Sequence, residues 1–236
     1  MKLGIMQPYI FPYIGYWQLL NAVDQFVIYD NIQYTKQGWF NRNYILMDGT
    51  RKLFTIPLKK DSDYLDVRDR YLANNANVMI SKFLEQIKHA YRKAPHFAHV
   101  YPLIEEVLLN PERNLFRYLY HSIIQVKDYL KIDTEIIISS KLSIDHSLKS
   151  QEKVIEINKI LGARTYINPI GGMELYSADV FLKEGIELLF LKSNLPAYKQ
   201  FDHEFVPSLS IIDVMMFNSV EEITSMLRDY TYIKGD

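Results

Sequence analysis

Apolar residues come in short runs near both ends of the chain and at helical spacing through its middle. Leu3–Met6 is a short apolar run closed by Pro8, the pattern of a buried strand. Ile14, Trp17, Leu19, Leu20 and Val23 fall on one helical face, and Gln25–Tyr29, β-branched and aromatic, predicts a second buried strand. Two apolar strands joined by one helix predict a right-handed βαβ unit. Tyr44–Met47 and Lys52–Ile56 flank Asp48-Gly49, a dipeptide that tolerates the positive φ angles of a hairpin turn. Val78–Tyr91, Phe97–Leu108 and Leu115–Leu130 then read as helices, punctuated by Pro95, Pro102 and Pro111.

Alternation returns afterwards. Glu135–Ile138 predicts a strand, Gln151–Leu161 a helix stopped at Gly162, and Arg164–Ile167 a strand. Ala178–Glu184 predicts a helix stopped at Gly185, followed by a strand over Ile186–Leu191. Ile211–Phe217 and Glu221–Arg228 close the chain as helices, the second capped by Ser219. The pattern predicts an α/β fold: a Rossmann-like parallel sheet with an antiparallel hairpin and a mainly helical insertion at about 76–130, in one domain over 1–236.

Composition narrows the chemistry. The chain has no cysteine, which excludes a disulfide framework, a thiolate nucleophile and any Cys-based metal site. Its formal charge of −1 lacks the basic excess of a duplex-DNA binder, so no nucleic-acid partner is expected. Met1-Lys2-Leu3-Gly4-Ile5-Met6-Gln7-Pro8 carries too short an apolar run for a signal peptide, and no window is long enough to span a membrane; a cytoplasmic protein is expected. The six histidines form no metal-ligand or catalytic pattern, and no Gly-rich phosphate loop or serine-nucleophile elbow is present. No metal is expected, and no cofactor is assigned.

In an open parallel sheet, ligands bind beyond the carboxyl ends of the strands. Three predicted loops leave such ends: Gln7–Tyr13, Asp30–Asn43 and Ser139–Ser150. The first offers Gln7, Tyr9, Tyr13 and Tyr16, and runs into a helix N-terminus that can hold an anion, where Gly15 would let a ligand or a strand approach closely. The second holds Asp30, Gln33, Lys36, Trp39, Asn41 and Arg42, a dense set of hydrogen-bonding groups around a stacking platform. Ser139, Ser140 and Lys141 could clamp phosphate oxygens, and Gly171-Gly172 could let backbone amides converge on a ligand.

The run Met6-Gln7-Pro8-Tyr9-Ile10-Phe11-Pro12-Tyr13-Ile14-Gly15-Tyr16, continuing through Asp24–Tyr34 to Trp39-Phe40-Asn41-Arg42-Asn43, resembles the WbqC-like family. Phe205–Asp213, Leu161-Gly162-Ala163 and Tyr198-Lys199-Gln200 resemble it too, so the likeness spans nearly the whole chain. The resemblance implies a role in bacterial surface-polysaccharide (O-antigen) biosynthesis, by acyl or glycyl transfer to an amino sugar. The strand–loop–helix–strand start also resembles the nucleotidylyltransferase and pantothenate-synthetase superfamily. Its His-x-Gly-His pattern would fall on Tyr13 to Tyr16, with Gly15 kept and both histidines replaced by tyrosine. A neutral phenol cannot supply the charge of an imidazolium, so this likeness implies the fold more than adenylyl transfer.

These readings converge on a transferase for a nucleotide-linked amino sugar. Asp30 is the expected general base, Lys36 and Arg42 neutralise charge, Gly15 with its helix receives phosphate, and Trp39 and Tyr9 stack base or sugar. An ATP-dependent ligase working through an acyl-adenylate, and a non-catalytic carbohydrate-binding or scaffold protein, are the alternatives.

Overall fold

The computed structural model describes residues 1–235. The first unit is β1 (Lys2–Met6), α1 (Ile14–Ala22) and β2 (Gln25–Ile28), with β1 and β2 paired in parallel from Leu3↔Gln25 to Met6↔Ile28. The hairpin β3 (Arg42–Met47) and β4 (Thr50–Thr55) stands as a separate two-stranded sheet. Asp48 and Gly49 turn it with φ of 50° and 72°, the doubly positive geometry that fits the twist of paired strands. Between β4 and the next strand come α2 (Ala76–Tyr91), α3 (Phe97–Leu108) and α4 (Leu115–Tyr129).

The chain then alternates through β5 (Glu135–Ile138), α5 (Ser150–Ile160), β6 (Thr165–Pro169), α6 (Ala178–Lys183) and β7 (Glu187–Ser193). It ends with α7 (Ile211–Phe217), α8 (Val220–Met226) and β8 (Tyr230–Lys234). Ser219 caps α8 in a reciprocal capping box with Glu222. The main sheet runs β5-β2-β1-β6-β7-β8, parallel except for β8, which returns antiparallel along β7. This is a Rossmann-like α/β fold. The sequence pattern did not predict β8, whose half-exposed residues pair only at the sheet edge.

Strand side chains alternate between two cores, as a sheet covered on both faces requires. Phe26 and Ile28 of β2 enter a core shared with α1, the three inserted helices, α7 and α8. Val27, with Leu3 and Ile5 of β1, enters a smaller core under α5 and α6. Gly4 faces the larger core, where a Cβ would come within 3.1 Å of the Phe26 ring. Its missing side chain lets α1 and the Phe26 ring settle over the central strand.

Candidate functional site

The chain steps from β1 outward through β2 to β5, then crosses under the sheet along α5 and returns on the other side of β1 at β6. The strand order therefore reverses between β1 and β6, where a crevice opens at the carboxyl edge of such sheets. A cleft of about 460 Å³ lies there, lined by Gln7, Tyr9, Tyr13, Trp39, Asn43 and Ser208 among others. Trp39 is 41% exposed. It meets Tyr44 edge-on at 5.6 Å, while the Arg42 guanidinium sits 5.5 Å from its ring centre. Tyr9 is buried against Tyr16, and its hydroxyl accepts from the Tyr13 amide at 3.2 Å. Burial raises both the Tyr9 and Tyr13 phenols, so they enter the cleft as neutral hydrogen-bonding groups.

Not all the residues proposed beside this cleft reach it. Tyr16 is 1% exposed and packs between Tyr9, Trp17 and Phe26, so it belongs to the core. Gly15 makes room for the chain itself: a Cβ there would lie 2.4 Å from the Tyr13 ring. That ring lies over the first turn of α1, and Ile14, Gly15 and Tyr16 are all buried. The helix N-terminus expected to receive phosphate is closed. The segment leading into α7 adds to the closure, with Ser210 Oγ donating to the Phe11 carbonyl and the Ile211 amide to that of Pro12.

The polar loop after β2 divides in the same way. Asp30, expected as a general base, is buried and accepts from Ser139 Oγ at 2.9 Å, the Ser140 amide at 2.9 Å and Ser140 Oγ at 2.5 Å. Ser139 and Ser140 thus latch the end of β5 to the end of β2, and their hydroxyls are spent on the carboxylate. Asn41 accepts from the Tyr34 hydroxyl and donates to the Ile56 carbonyl, while Asn43 donates to the carbonyls of Ile10 and Phe11. Both asparagines satisfy buried backbone.

Lys36 is solvent-exposed and paired with Asp63 at 3.0 Å, and Gln33 donates to the Asp63 carbonyl. Arg42 donates to the Gln37 carbonyl. Lys141 is exposed beside a different cleft of about 560 Å³, shared with Asp30, Ser140 and Arg117. Gly171 stands in open space, whereas a Cβ at Gly172 would overlap the Asn168 side chain. Gly172 is there for packing.

A further opening, about 750 Å³, lies between the end of β2 and the start of α5 and is lined by Tyr29, Asp66, Arg68, His146, Lys149 and Lys153 among others. The sequence pattern put Tyr29 beside the ligand loops and His146 and Lys149 inside the Ser139–Ser150 loop without singling them out as site residues, and it missed Asp66, Arg68 and Lys153. The signal for Lys153 was present: it lies four residues before Ile157, on the apolar face of α5. The residue is 9% exposed, with its ammonium 5.5 Å from the Tyr29 ring centre. Burial holds it below the usual lysine range, while Asp66 and Asp30 pull it back up. Burial also raises the Asp66 carboxyl, against the pull of Arg68. Among the described residues, no cluster of three or more His, Asp or Glu could hold a metal ion, and no helix is long and apolar enough to cross a membrane.

The model of the WbqC-like protein family matches residues 7–225, which takes in both the switch-point cleft from Gln7 onward and the cationic cleft. The chain belongs to the WbqC-like protein family. One relative, "Uncharacterized protein Rv1507c" of Mycobacterium tuberculosis (strain ATCC 25618 / H37Rv), is 25% identical over 232 residues, covering 96% of this chain and 97% of its own length. No solved structure matches.

Proposed function

We propose that this WbqC-like protein is a transferase that modifies a nucleotide-linked amino sugar by acyl or aminoacyl transfer in bacterial surface-polysaccharide biosynthesis. The observation that carries the reading is the cleft at the switch point, whose polar groups are amides, hydroxyls and phenols around an exposed indole. Flat aromatic faces with neutral hydrogen-bonding groups suit a sugar or base better than a free anion. In this reading Trp39 stacks the ring, Gln7 and the Tyr13 hydroxyl orient the sugar, and Tyr9 holds Tyr13 in place. The transfer forms an amide: the sugar amine attacks the acyl carbonyl, the bond between the acyl group and its donor's carrier breaks, and the amine's proton leaves with the freed carrier. The cleft contributes by holding the two together at attacking distance.

The acyl-adenylate alternative draws less support, because the first turn of α1 lies under Tyr13 and has no room for a triphosphate. Trp39 is the exposed one of two tryptophans, so its fluorescence reports on the cleft. Titration with uridine- and thymidine-diphosphate amino sugars should quench it, and calorimetry on Trp39→Ala should show affinity lower by roughly tenfold or more, the usual worth of one stacking contact. Absence of binding by any nucleotide or nucleotide-sugar would remove the basis of the proposal. Binding without turnover in the presence of acyl donors would favour the carbohydrate-binding alternative.

A further inference from the structure

The cationic cleft between the end of β2 and the start of α5 has no part in the transfer just described. Its wall includes the start of α5, an eleven-residue helix whose N-cap residue, Lys149, makes no side-chain capping bond. Lys149 and Ser150 are exposed, so the free amides of the first turn and the positive end of the helix dipole face solvent. A helix end alone is common. The second observation is Lys153, one turn in. It is nine-tenths buried and lines the cleft, and among the described residues its ammonium has no hydrogen-bond acceptor and no carboxylate within 4.0 Å. That ammonium lies 5.5 Å from the centre of the Tyr29 ring, with Asp66 and Asp30 acting on it only from beyond 4.0 Å.

Most of Lys153 is buried while its ammonium borders the cleft, so the fold holds a positive charge there with no acceptor of its own, and an anion entering the cleft would complete it. Arg68 reaches the same cleft from the segment after the hairpin. Only its Nε is engaged, at 3.7 Å from Asp66 and 3.8 Å from Asp69. That leaves the outer guanidinium nitrogens to donate in a fork. His146, at the rim, is already used on both ring nitrogens, by Asn31 and the Leu142 carbonyl. Against the cations Arg68, Lys149 and Lys153, the lining holds one carboxylate, Asp66.

We propose that this cleft is a binding site for a phosphoryl anion, a diphosphate in particular. Lys153 serves as its buried anchor, with Lys149, the first-turn amides of α5 and Arg68 as the outer donors. Two linked phosphates match the arrangement: one meets the buried ammonium and helix end, the other the guanidinium fork. The proposal is independent of the transferase reading, since the two clefts share no lining residue.

Calorimetry with inorganic pyrophosphate at low salt tests it on the intact protein. Wild type should bind one pyrophosphate per chain. Lys153→Met should weaken binding by roughly tenfold to a hundredfold, as expected for loss of a charge-assisted contact to an anion. This variant replaces an unpaired buried charge with an apolar side chain of similar length, so it should fold at least as well. Lys149→Met, at an exposed position, should weaken binding in the same direction, and Trp39→Ala should leave it unchanged. No heat with wild type, or equal affinity in wild type and both lysine variants, overturns the proposal. Uridine diphosphate as competitor assigns the source: displacement of pyrophosphate identifies the phosphates of a nucleotide, and failure to displace identifies a free phosphoryl anion. If pyrophosphate binds while no nucleotide-sugar quenches Trp39, the anion site stands and the transferase reading falls alone.

Discussion

Helices α1 and α5 both begin at the carboxyl edge of the same sheet, and only one of them presents its N-terminus to solvent. At α1 the Tyr13 ring rests on Gly15, the Tyr13 amide is taken by the Tyr9 hydroxyl, and the first-turn residues are buried. At α5 the first turn is exposed, no side chain caps it, and lysines stand before it and within it. The backbone dipole is the same at both ends. What differs is whether the chain has already covered it. A glycine at a helix start therefore marks close approach by something, and here that something is the protein's own tyrosine.

The closure at α1 is held from a distance by Asp213, and its removal should have the largest effect on the contrast. Asp213 is buried in α7, just past the segment that bonds to Phe11 and Pro12. Its carboxylate accepts from Tyr91 at 2.8 Å, Tyr198 at 2.7 Å and Gln200 at 2.6 Å. Asp213→Ala strands three donors, two of them fully or largely buried, and should cost about 3–5 kcal/mol in urea unfolding. Burial, the larger influence, raises this carboxyl above the usual aspartate value, and the three donors pull it back. The folded state then binds the proton more tightly than the unfolded state. Asp213's contribution to stability is full below the ordinary aspartate value and is lost as pH rises through the raised one. Asp213→Asn should remove that fall from the stability profile as pH rises above the ordinary aspartate value of about 4. A steeper fall in the variant would contradict the assignment.

The next effect is at the latch that leads to α5. Asp30→Ala leaves Ser139 Oγ and the Ser140 amide and hydroxyl without their shared acceptor, and should cost about 2–3 kcal/mol. Asp30→Asn keeps one acceptor oxygen, and the rotatable Ser140 hydroxyl can turn to accept from the new amide. About 1 kcal/mol is expected. Hydrogen exchange should show early opening of residues 139–149 in the alanine variant and near-native protection in the asparagine one. Equal stability of all three proteins would deny Asp30 its role as a latch and return it to candidacy as a base.

The same contrast explains what could be read from the sequence. The hairpin was legible because Asp48-Gly49 has few alternatives at two positive φ angles, and the inserted helices because their apolar spacing persists over several turns. β8 was not, since five residues with half-exposed side chains become a strand only by pairing with β7. The polar loops were correctly placed at the sheet edge, but residue type could not tell Trp39, which faces solvent, from Asn41 and Asn43, which face buried carbonyls. An amide does either equally well. The cationic cleft depends on Arg68 meeting α5 across the sheet edge, a juxtaposition no local pattern encodes. Lys153 did carry a local sign, a lysine on the buried face of a helix, and such positions merit a search for an anion.

The smallest expected effect tests whether the Tyr13 ring alone closes α1. Gly15→Ala would put a methyl group within 2.4–2.6 Å of three atoms at the far end of that ring. Tyr13 is half-buried and its ring can swing toward the cleft, so the clash resolves by moving a side chain and leaving backbone in place. Alanine in a helix is favoured over glycine by about 1 kcal/mol, which offsets much of the lost ring packing. Net stability should change by less than about 1 kcal/mol. Sugar binding at Trp39 should weaken, because the ring would be pushed into the space the ligand needs. Pyrophosphate stoichiometry should stay at one, since the backbone bonds from Ser210 and Ile211 keep the approach to α1 covered after the ring has left. A second pyrophosphate in Gly15→Ala would mean that one aromatic ring is all that separates a closed helix end from an anion site.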